Sequence, residues 1–404
     1  MKHLRYGYVA GPVLLVLWSV TLVYSISIFA TFGFGAPARP YFPATAIVGG
    51  LAGIAVILYR NQYFLAGASF IAGAILSLAG FGPMQFGSGL STLNEVAIGA
   101  LVLPAITVSG STILRKTRLG QLDRHEFEEA IMRFLTGFGL AFFIVIVVIP
   151  FFVMIATSLK SQQELLQNPL DYSIALSKGW DIFRSYRELF EDFSFGSYLW
   201  TSFLVSVVTV VVTLLFSVPG AYAVARLRFK GRNEFSQSIL LIYMVPMIVL
   251  ALPIYILFSM IGLRNSILGL VLIYPVTTIP VALYILQGYF RGLPYEVEEA
   301  GLMDGLSRFS VIRRITLPLS LPSIASVSLY VFMIAWNEFL LAFMLLDDPS
   351  TFTLTRGVAM LNSSEIPRQH LMAGAVIATI PVMMLFLGLE RFITKGLTAG
   401  SVKG

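Results

Sequence analysis

The sequence predicts an all-α, polytopic membrane protein of about ten transmembrane helices, a six-helix core behind a four-helix N-terminal extension. Three observations carry that prediction. Hydrophobic residues make up 57% of the 404-residue chain and charged residues only 12%, roughly half the charged share of an ordinary soluble domain. Mean hydropathy is +0.84. Apolar stretches long enough to cross about 30 Å of hydrocarbon as helices recur along the chain, without the in/out alternation that β-barrel strands need. So few charges could not cover a soluble core. The absence of cysteine excludes a disulfide framework, a thiolate metal site and a cysteine nucleophile.

The first four spans are expected over 9–32, 44–59, 63–81 and 96–114. The first is too long for a signal-peptide core and is read as a retained helix. The second is short and carries Gly49, Gly50 and Gly53. This block is rich in Gly, Ala and Ser, which lets helices approach closely. It holds no charge within a span, with Glu95 at an entrance, and nothing in it suggests chemistry. The stretches 33–43 and 80–89 read as turns.

A composition shift follows over 115–133, where both signs of charge recur at helical spacing. It reads as a cytoplasmic connecting helix lying along the membrane surface. The division expected is thus an extension over 1–114, this connector, and a transport core over 134–404.

Six later spans are expected over 134–159, 198–225, 236–261, 267–290, 323–346 and 372–392. They carry Pro150, Pro219, Pro246, Pro253, Pro275, Pro280 and Pro381, each of which kinks or breaks a helix. Irregular backbone at membrane depth is tolerated where it is buried in protein or lines a cavity. Four of these prolines fall in adjacent spans. That cluster suits a transport pathway, though ordinary kinks explain any single one.

Orientation follows the basic residues. With the N-terminus cytoplasmic, 19 of the 27 Lys and Arg residues fall inside, in six segments such as Arg115–Arg133 and Arg226–Arg232. Both termini are then cytoplasmic in a multi-pass cell-membrane protein. The net charge of +6 reflects topology and lipid contact, not nucleic-acid binding. The outside loop over 160–195 holds six acids and the aromatics Tyr172, Trp180, Phe183 and Tyr186. It reads either as a folded external cap or as a docking surface.

The inside loop over 292–322 is the most informative. Pro294 suits a first helical turn, with Glu296, Glu298 and Glu299 near the positive end of the helix dipole. Asp304-Gly305 is a turn signal, Ser307 caps a second short helix, and Leu317-Pro318 ends it. The product is a helix–turn–helix elbow parallel to the membrane. Small residues at Ala300, Gly301 and Gly305 leave room for a partner.

The order Glu299-Ala300-Gly301, Gly305, Ile315-x-Leu317-Pro318 resembles, in residue type and spacing, the EAA loop of ABC importer permeases. Gly301 stands where the pattern has a second Ala, and Leu306 where an Ala is usual. Ala221–Arg226 with Phe229-Lys230-Gly231, Trp336-Asn337-Glu338-Phe339 and the tail from Gly396 to Gly404 are similar to MalG-type sugar permeases. The resemblance spans about residues 126–404 and leaves the extension uncovered. It implies that the elbow seats in a cleft of a separate ATPase, with Glu299, Ala300, Gly301, Asp304, Gly305, Ile315, Leu317 and Pro318 as the coupling residues. It implies that Thr398, Ala399, Gly400, Lys403 and Gly404 lie at the ATPase interface. The implied partners are a MalF-like second permease, a MalK-like ATPase dimer binding ATP and Mg, an extracellular sugar-binding protein and a sugar. No cofactor is expected in this chain.

The residues themselves exclude an ATPase here. No Lys follows a Gly, so there is no phosphate-cradling Gly-Lys-Ser/Thr. The three histidines lie in loops or chain ends without a His-Glu-x-x-His, so enzymatic function is not expected. A secondary carrier is the alternative; it needs intramembrane ionisable groups for ion coupling, and only Glu338 qualifies. Trp336, Asn337 and Glu338 are candidate pathway residues. Trp336 reads either as packing or as a stacking surface for a sugar, Glu338 as a helix-interface, pathway or ligand residue.

Overall fold

The computed structural model describes residues 6–34, 37–59, 61–87, 92–169, 171–363 and 365–398. The chain divides into two compact units, Met1–Ile182 and Phe183–Gly404.

In the first unit, α1 (Gly7–Phe34), α2 (Phe42–Leu58), α3 (Gln62–Leu78) and α4 (Thr92–Ile113) are the early apolar helices. Glycine decides how closely they pack. A Cβ on Gly53 of α2 would lie 2.7 Å from the Gly11 carbonyl oxygen of α1, and one on Gly73 of α3 would strike the Gly99 carbonyl of α4. Hydroxyls bind across the contacts: Trp18 Nε1 donates to Ser109 Oγ at 2.7 Å, and Ser69 meets Thr107 at 3.0 Å. Such bonds matter because lipid provides no hydrophobic force between helices. The stretches expected as turns instead form a ribbon, β1 (Ala38–Pro40) antiparallel to β2 (Met84–Phe86). These strands are too short, and one too proline-bound, to announce themselves by alternation.

The connector differs from the expected surface helix. Residues 114–116 form a turn and 117–123 are irregular. Asp123 then opens α5 (Arg124–Ser158) with a capping box closed by Glu126. This helix of 35 residues is about 52 Å long. Crossing about 30 Å of hydrocarbon leaves its charged start in water. The charges pair within this region, in Lys116–Glu129, Arg118–Glu126, Arg124–Glu128 and Arg133–Glu129. Because α5 packs on α1 and α4, the compact units divide later than the composition does.

After α5 comes α6 (Gln162–Gln167), capped by Ser161 and held by the Glu164–Lys178 ion pair. The hydrogen bond from Lys178, aided by the Ser161 backbone, lowers the Glu164 carboxyl from an ordinary 4.5 to about 2. A depressed carboxyl contributes stability above its unfolded value and loses it as pH falls through the folded one. Protease resistance of residues 160–178 is therefore expected to hold at neutral pH and to decline from about pH 4.5 towards pH 2. Glu164→Gln should weaken that dependence, leaving the part that the Lys160–Asp171 pair carries.

The second unit begins at Phe183, the last residue of a 3₁₀ segment, with α7 (Arg184–Asp192), and continues with the 32-residue α8 (Phe195–Arg226). Buried hydroxyls at Ser202, Ser206, Thr209, Thr213 and Ser217 form one face of α8. Thr213 meets Thr278 of α11 (Ile267–Gly292) at 2.7 Å. Between them run α9 (Arg232–Tyr243) and α10 (Met247–Met260), one expected span broken in two. Pro246 begins α10 after the break. By contrast Pro219, Pro253, Pro275, Pro280 and Pro381 lie inside helices that continue through them.

The elbow is α12 (Tyr295–Met303), α13 (Arg308–Val311), a π turn over Ile312–Thr316 and α14 (Leu317–Leu319). A 72° bend then leads into α15 (Leu321–Asn337). A second break at Glu338 precedes α16 (Leu340–Leu345), and α17 (Leu354–Met360) and α18 (Arg368–Thr398) complete the described residues. The core lies where α8 packs on α11 and α15, and α15 on α18. Each of the ten expected apolar segments is thus mainly helical. Among the described residues, six helices are long and apolar enough to cross a membrane singly, and α2 and α3 are shorter; at 17 residues they reach about 25 Å.

Candidate coupling surface and cavity

Pro294 caps α12, and Glu296 and Glu298 occupy its first turn, where the helix dipole favours carboxylates. The helix closes by a Schellman motif. Gly305 N–H donates to the Leu302 carbonyl and Leu306 N–H to the Gly301 carbonyl, each at 3.1 Å. The motif needs a left-handed residue, and Gly305 supplies it at φ +81°. Nothing lies within 4 Å of the place a Cβ would take on Gly305. Its glycine serves the backbone.

Gly301 does the opposite. A Cβ there would sit 2.7 Å from Ile315 Cδ1 and 3.3 Å from Val311 Cγ2. The expectation that Ala300, Gly301 and Gly305 all leave room for a partner is thereby corrected for Gly301, which lets the elbow close on itself; Ala300 and Gly305 are exposed. Asp304 contributes its backbone N–H, which donates to the Ala300 carbonyl at 2.9 Å. Its exposed carboxylate takes no part in the turn's hydrogen bonds. We expect Gly301→Leu to destabilise the elbow by about 1–3 kcal/mol through overpacking, and Gly305→Ala by about 1–2 kcal/mol through the left-handed backbone. Faster amide exchange across 294–322, with the other helices unchanged, checks both.

Ser307 caps α13, its Oγ accepting from Ser310 N–H. Leu317-Pro318 does not end the helix as expected. The π turn, closed by Leu317 N–H to the Ile312 carbonyl, widens the backbone just before Pro318. The helix passes through Pro318 and stops at Ser320.

The outer face of the elbow is mixed. Glu299 and Ala300 are exposed beside Leu302, Met303 at 87% and Phe309 at 73% exposure. Successive helical residues point about 100° apart, so with Glu299 outward Glu298 turns back towards the protein. There Glu298 accepts from Tyr222 Oη at 3.2 Å and Thr316 Oγ1 at 3.0 Å, and pairs with Arg226 Nε at 3.4 Å. Arg226 Nη2 donates to the Leu293 carbonyl at 2.7 Å, and its guanidinium lies 4.0 Å from the Tyr295 ring centroid. This knot ties α8 to the elbow. Sequence reasoning placed Glu298 only near the helix dipole, although two adjacent acids on one helix already require different faces.

A cavity of about 460 Å³ opens at the break between α9 and α10. Met244–Met247, Thr277, Thr278, Pro280, Tyr330 and Glu338 are among its walls. Its size lies within the range of small-molecule sites. Glu338 is held by three donors: Tyr274 Oη at 2.7 Å, Leu341 N–H at 2.7 Å and Ala342 N–H at 3.1 Å. It caps the restarted helix α16 while bordering the cavity. Trp336 is buried, donates to the Ala378 carbonyl at 3.0 Å and stacks on Phe332. Its ring is packing, and no face is free for a sugar. Asn337 is exposed and donates to the Met333 carbonyl. Of the three candidate pathway residues, Glu338 is the one in this wall. Thr398 ends the described chain; the tail positions Ala399, Gly400, Lys403 and Gly404 lie outside the described residues.

Residues 217–399, which include the elbow and most of the cavity wall, match the family described as binding-protein-dependent transport system inner membrane component. The chain is 38% identical over 269 residues to the inner membrane ABC transporter permease protein YcjP of Escherichia coli, covering 66% of this chain and 95% of the relative. The chain belongs to this permease family. It is 34% identical over 282 residues to the trehalose/maltose transport system permease protein MalG of Thermococcus litoralis, covering 69% and 99%. A crystal structure of a bacterial ABC transporter involved in the import of the acidic polysaccharide alginate aligns with a TM-score of 0.56 at 22% identity, covering 65% of this chain and 97% of the other. That likeness shows the fold.

The permease is thus a membrane-spanning subunit of an ABC importer. Its family works with a second permease, ATPase subunits and a substrate-binding protein. It is a transport subunit and not an enzyme; ATP is hydrolysed by the partner ATPase. Nothing among the relatives supports ion-coupled secondary transport.

Proposed function

We propose that the permease imports a sugar of the maltose, trehalose or oligosaccharide class by alternating access. An extracellular binding protein delivers the sugar, a MalF-like permease completes the pathway, and a MalK-like ATPase dimer binds ATP and Mg. The observation that carries the substrate class is the match to the Thermococcus trehalose/maltose permease along 99% of that relative.

In this reading the elbow is the coupling site. Glu299 contacts the ATPase, Ala300 and the exposed apolar residues around it form the docking face, and Gly301, Gly305, Ile315, Leu317 and Pro318 hold that face in shape. The tail from Thr398 to Gly404 reaches the ATPase interface, and both termini are cytoplasmic. Residues 1–114 are an added membrane extension to the transport core. Exposed Glu299, with no side-chain partner among the described residues, supports the first of these assignments.

Proteoliposomes holding the purified importer and its binding protein test the substrate class. Labelled trehalose or maltose should enter only with ATP, and should stop when ATP is depleted under clamped ion gradients. Uptake that continues without ATP, or a binding protein with no affinity for any sugar, would overturn the proposal.

A further inference from the structure

The elbow is joined covalently to α11 through Leu293-Pro294 and to α15 through the bend at Ser320. Its link to α8 is not covalent. Beside the apolar packing of Leu293 and Ile312 in the cluster with Ala221, Tyr222 and Ala225, its polar part is the knot formed by Tyr222 and Arg226 with Glu298. Resting on the elbow as the ATPase contact, we propose that Arg226 and Glu298 are positioning residues that form a strut, passing movement of the elbow into α8.

The arrangement is placed for rigidity. The Arg226 side chain is 2% exposed and that of Glu298 13%. Taking an ion pair out of water carries a penalty that attraction alone seldom repays, and packed apolar side chains would often serve stability as well. Here the pair is also imperfectly satisfied, since Arg226 Nε and Nη1 make no hydrogen bond. What it supplies is direction. Arg226 holds the start of α12 through the Leu293 carbonyl and the Tyr295 ring. Glu298 reaches past the turn to Thr316 in the second half of the elbow. Both halves are therefore fixed to the end of one transmembrane helix.

That helix is well chosen for a lever. Its 32 residues run from the outer segment after α7 to the elbow. Its buried hydroxyl face is bonded to α11 through Thr213 and Thr278, and Ser202 Oγ accepts from Leu354 N–H at 2.7 Å near its other end. A displacement at Arg226 is delivered along α8 to Leu354 at the start of α17. The ATPase can bias the two permease states only through contacts that differ between them, and a strut converts a surface contact into such a difference.

The chain contains no cysteine, so paired spin labels can be placed at exposed Leu215 of α8 and Ile380 of α18 in the assembled importer. Adding ATP, Mg and vanadate should shift the label–label distance distribution. In Glu298→Gln the ATPase should remain bound and hydrolytically active while the shifted population falls at least about fivefold, the scale of a typical coupling term. Glu298→Asp, which keeps the charge, should restore part of the shift. An unchanged shift in Glu298→Gln overturns the strut. If that variant does not assemble, Arg226→Lys decides, because lysine lacks the fork that serves Leu293 and Glu298 together; a normal shift there overturns the proposal. Normal uptake with the ATPase retained on Glu299→Lys would instead count against the elbow as the docking site, a separate failure.

Discussion

Glu299→Lys is expected to leave the permease folded in the membrane and to lower ATP-driven uptake by about 100-fold or more. The two halves of that result have different causes. Glu299 is exposed, and a surface substitution away from special features usually changes stability by no more than about 0.5 kcal/mol. At an interface, however, loss of a charge contact costs about 2–5 kcal/mol, and about 3 kcal/mol corresponds to a hundredfold change in an equilibrium. Uptake in proteoliposomes and retention of the ATPase on affinity-purified permease measure the effect. Normal uptake with a stably bound ATPase would remove Glu299 from the coupling surface.

Glu338→Ala is expected to inactivate the permease by another route. Its carboxylate holds the Tyr274 hydroxyl and two backbone N–H groups at the start of α16. Removing it orphans three donors at the cavity wall, for a loss of about 3 kcal/mol or more. The restart of the helix and the adjoining cavity wall should both loosen. Thermal inactivation of the detergent-solubilised importer should fall sharply in temperature for Glu338→Ala and less for Tyr274→Phe, which removes a single hydroxyl. Equal stability of Glu338→Ala and the parent would show that the carboxylate is not structural.

Local chemistry made much of this legible. Pro294, the Asp304-Gly305 pair and Ser307 each dictate backbone geometry within a few residues, so the elbow could be drawn before its tertiary context was seen. Hydropathy located the spans for the same reason: length and apolar content are properties of a segment by itself. Asp123 and Glu126 mark the true start of the connector's helix as a capping box, but opposite charges at helical spacing suit a surface helix as well as the first turns of a long one.

What escaped depends on neighbours distant in the chain. Tyr222 and Glu298 are 76 residues apart, and no local pattern joins them. Pro246, Pro253, Pro275 and Pro280 look alike in sequence, yet only the first sits at a break; whether a helix continues depends on which groups pack around the lost hydrogen bond. Trp336 likewise could be judged only after Phe332 and Ala378 were found beside it.

Site-directed cross-linking on the elbow tests the central claim most directly. Single cysteines replacing Ala300 and Met303, both exposed, would be treated with a short bismaleimide in the intact importer. The account predicts capture of the ATPase subunit from these positions, with a yield that changes between nucleotide-free and ATP-bound states. No capture at either position, in any nucleotide state, would contradict it.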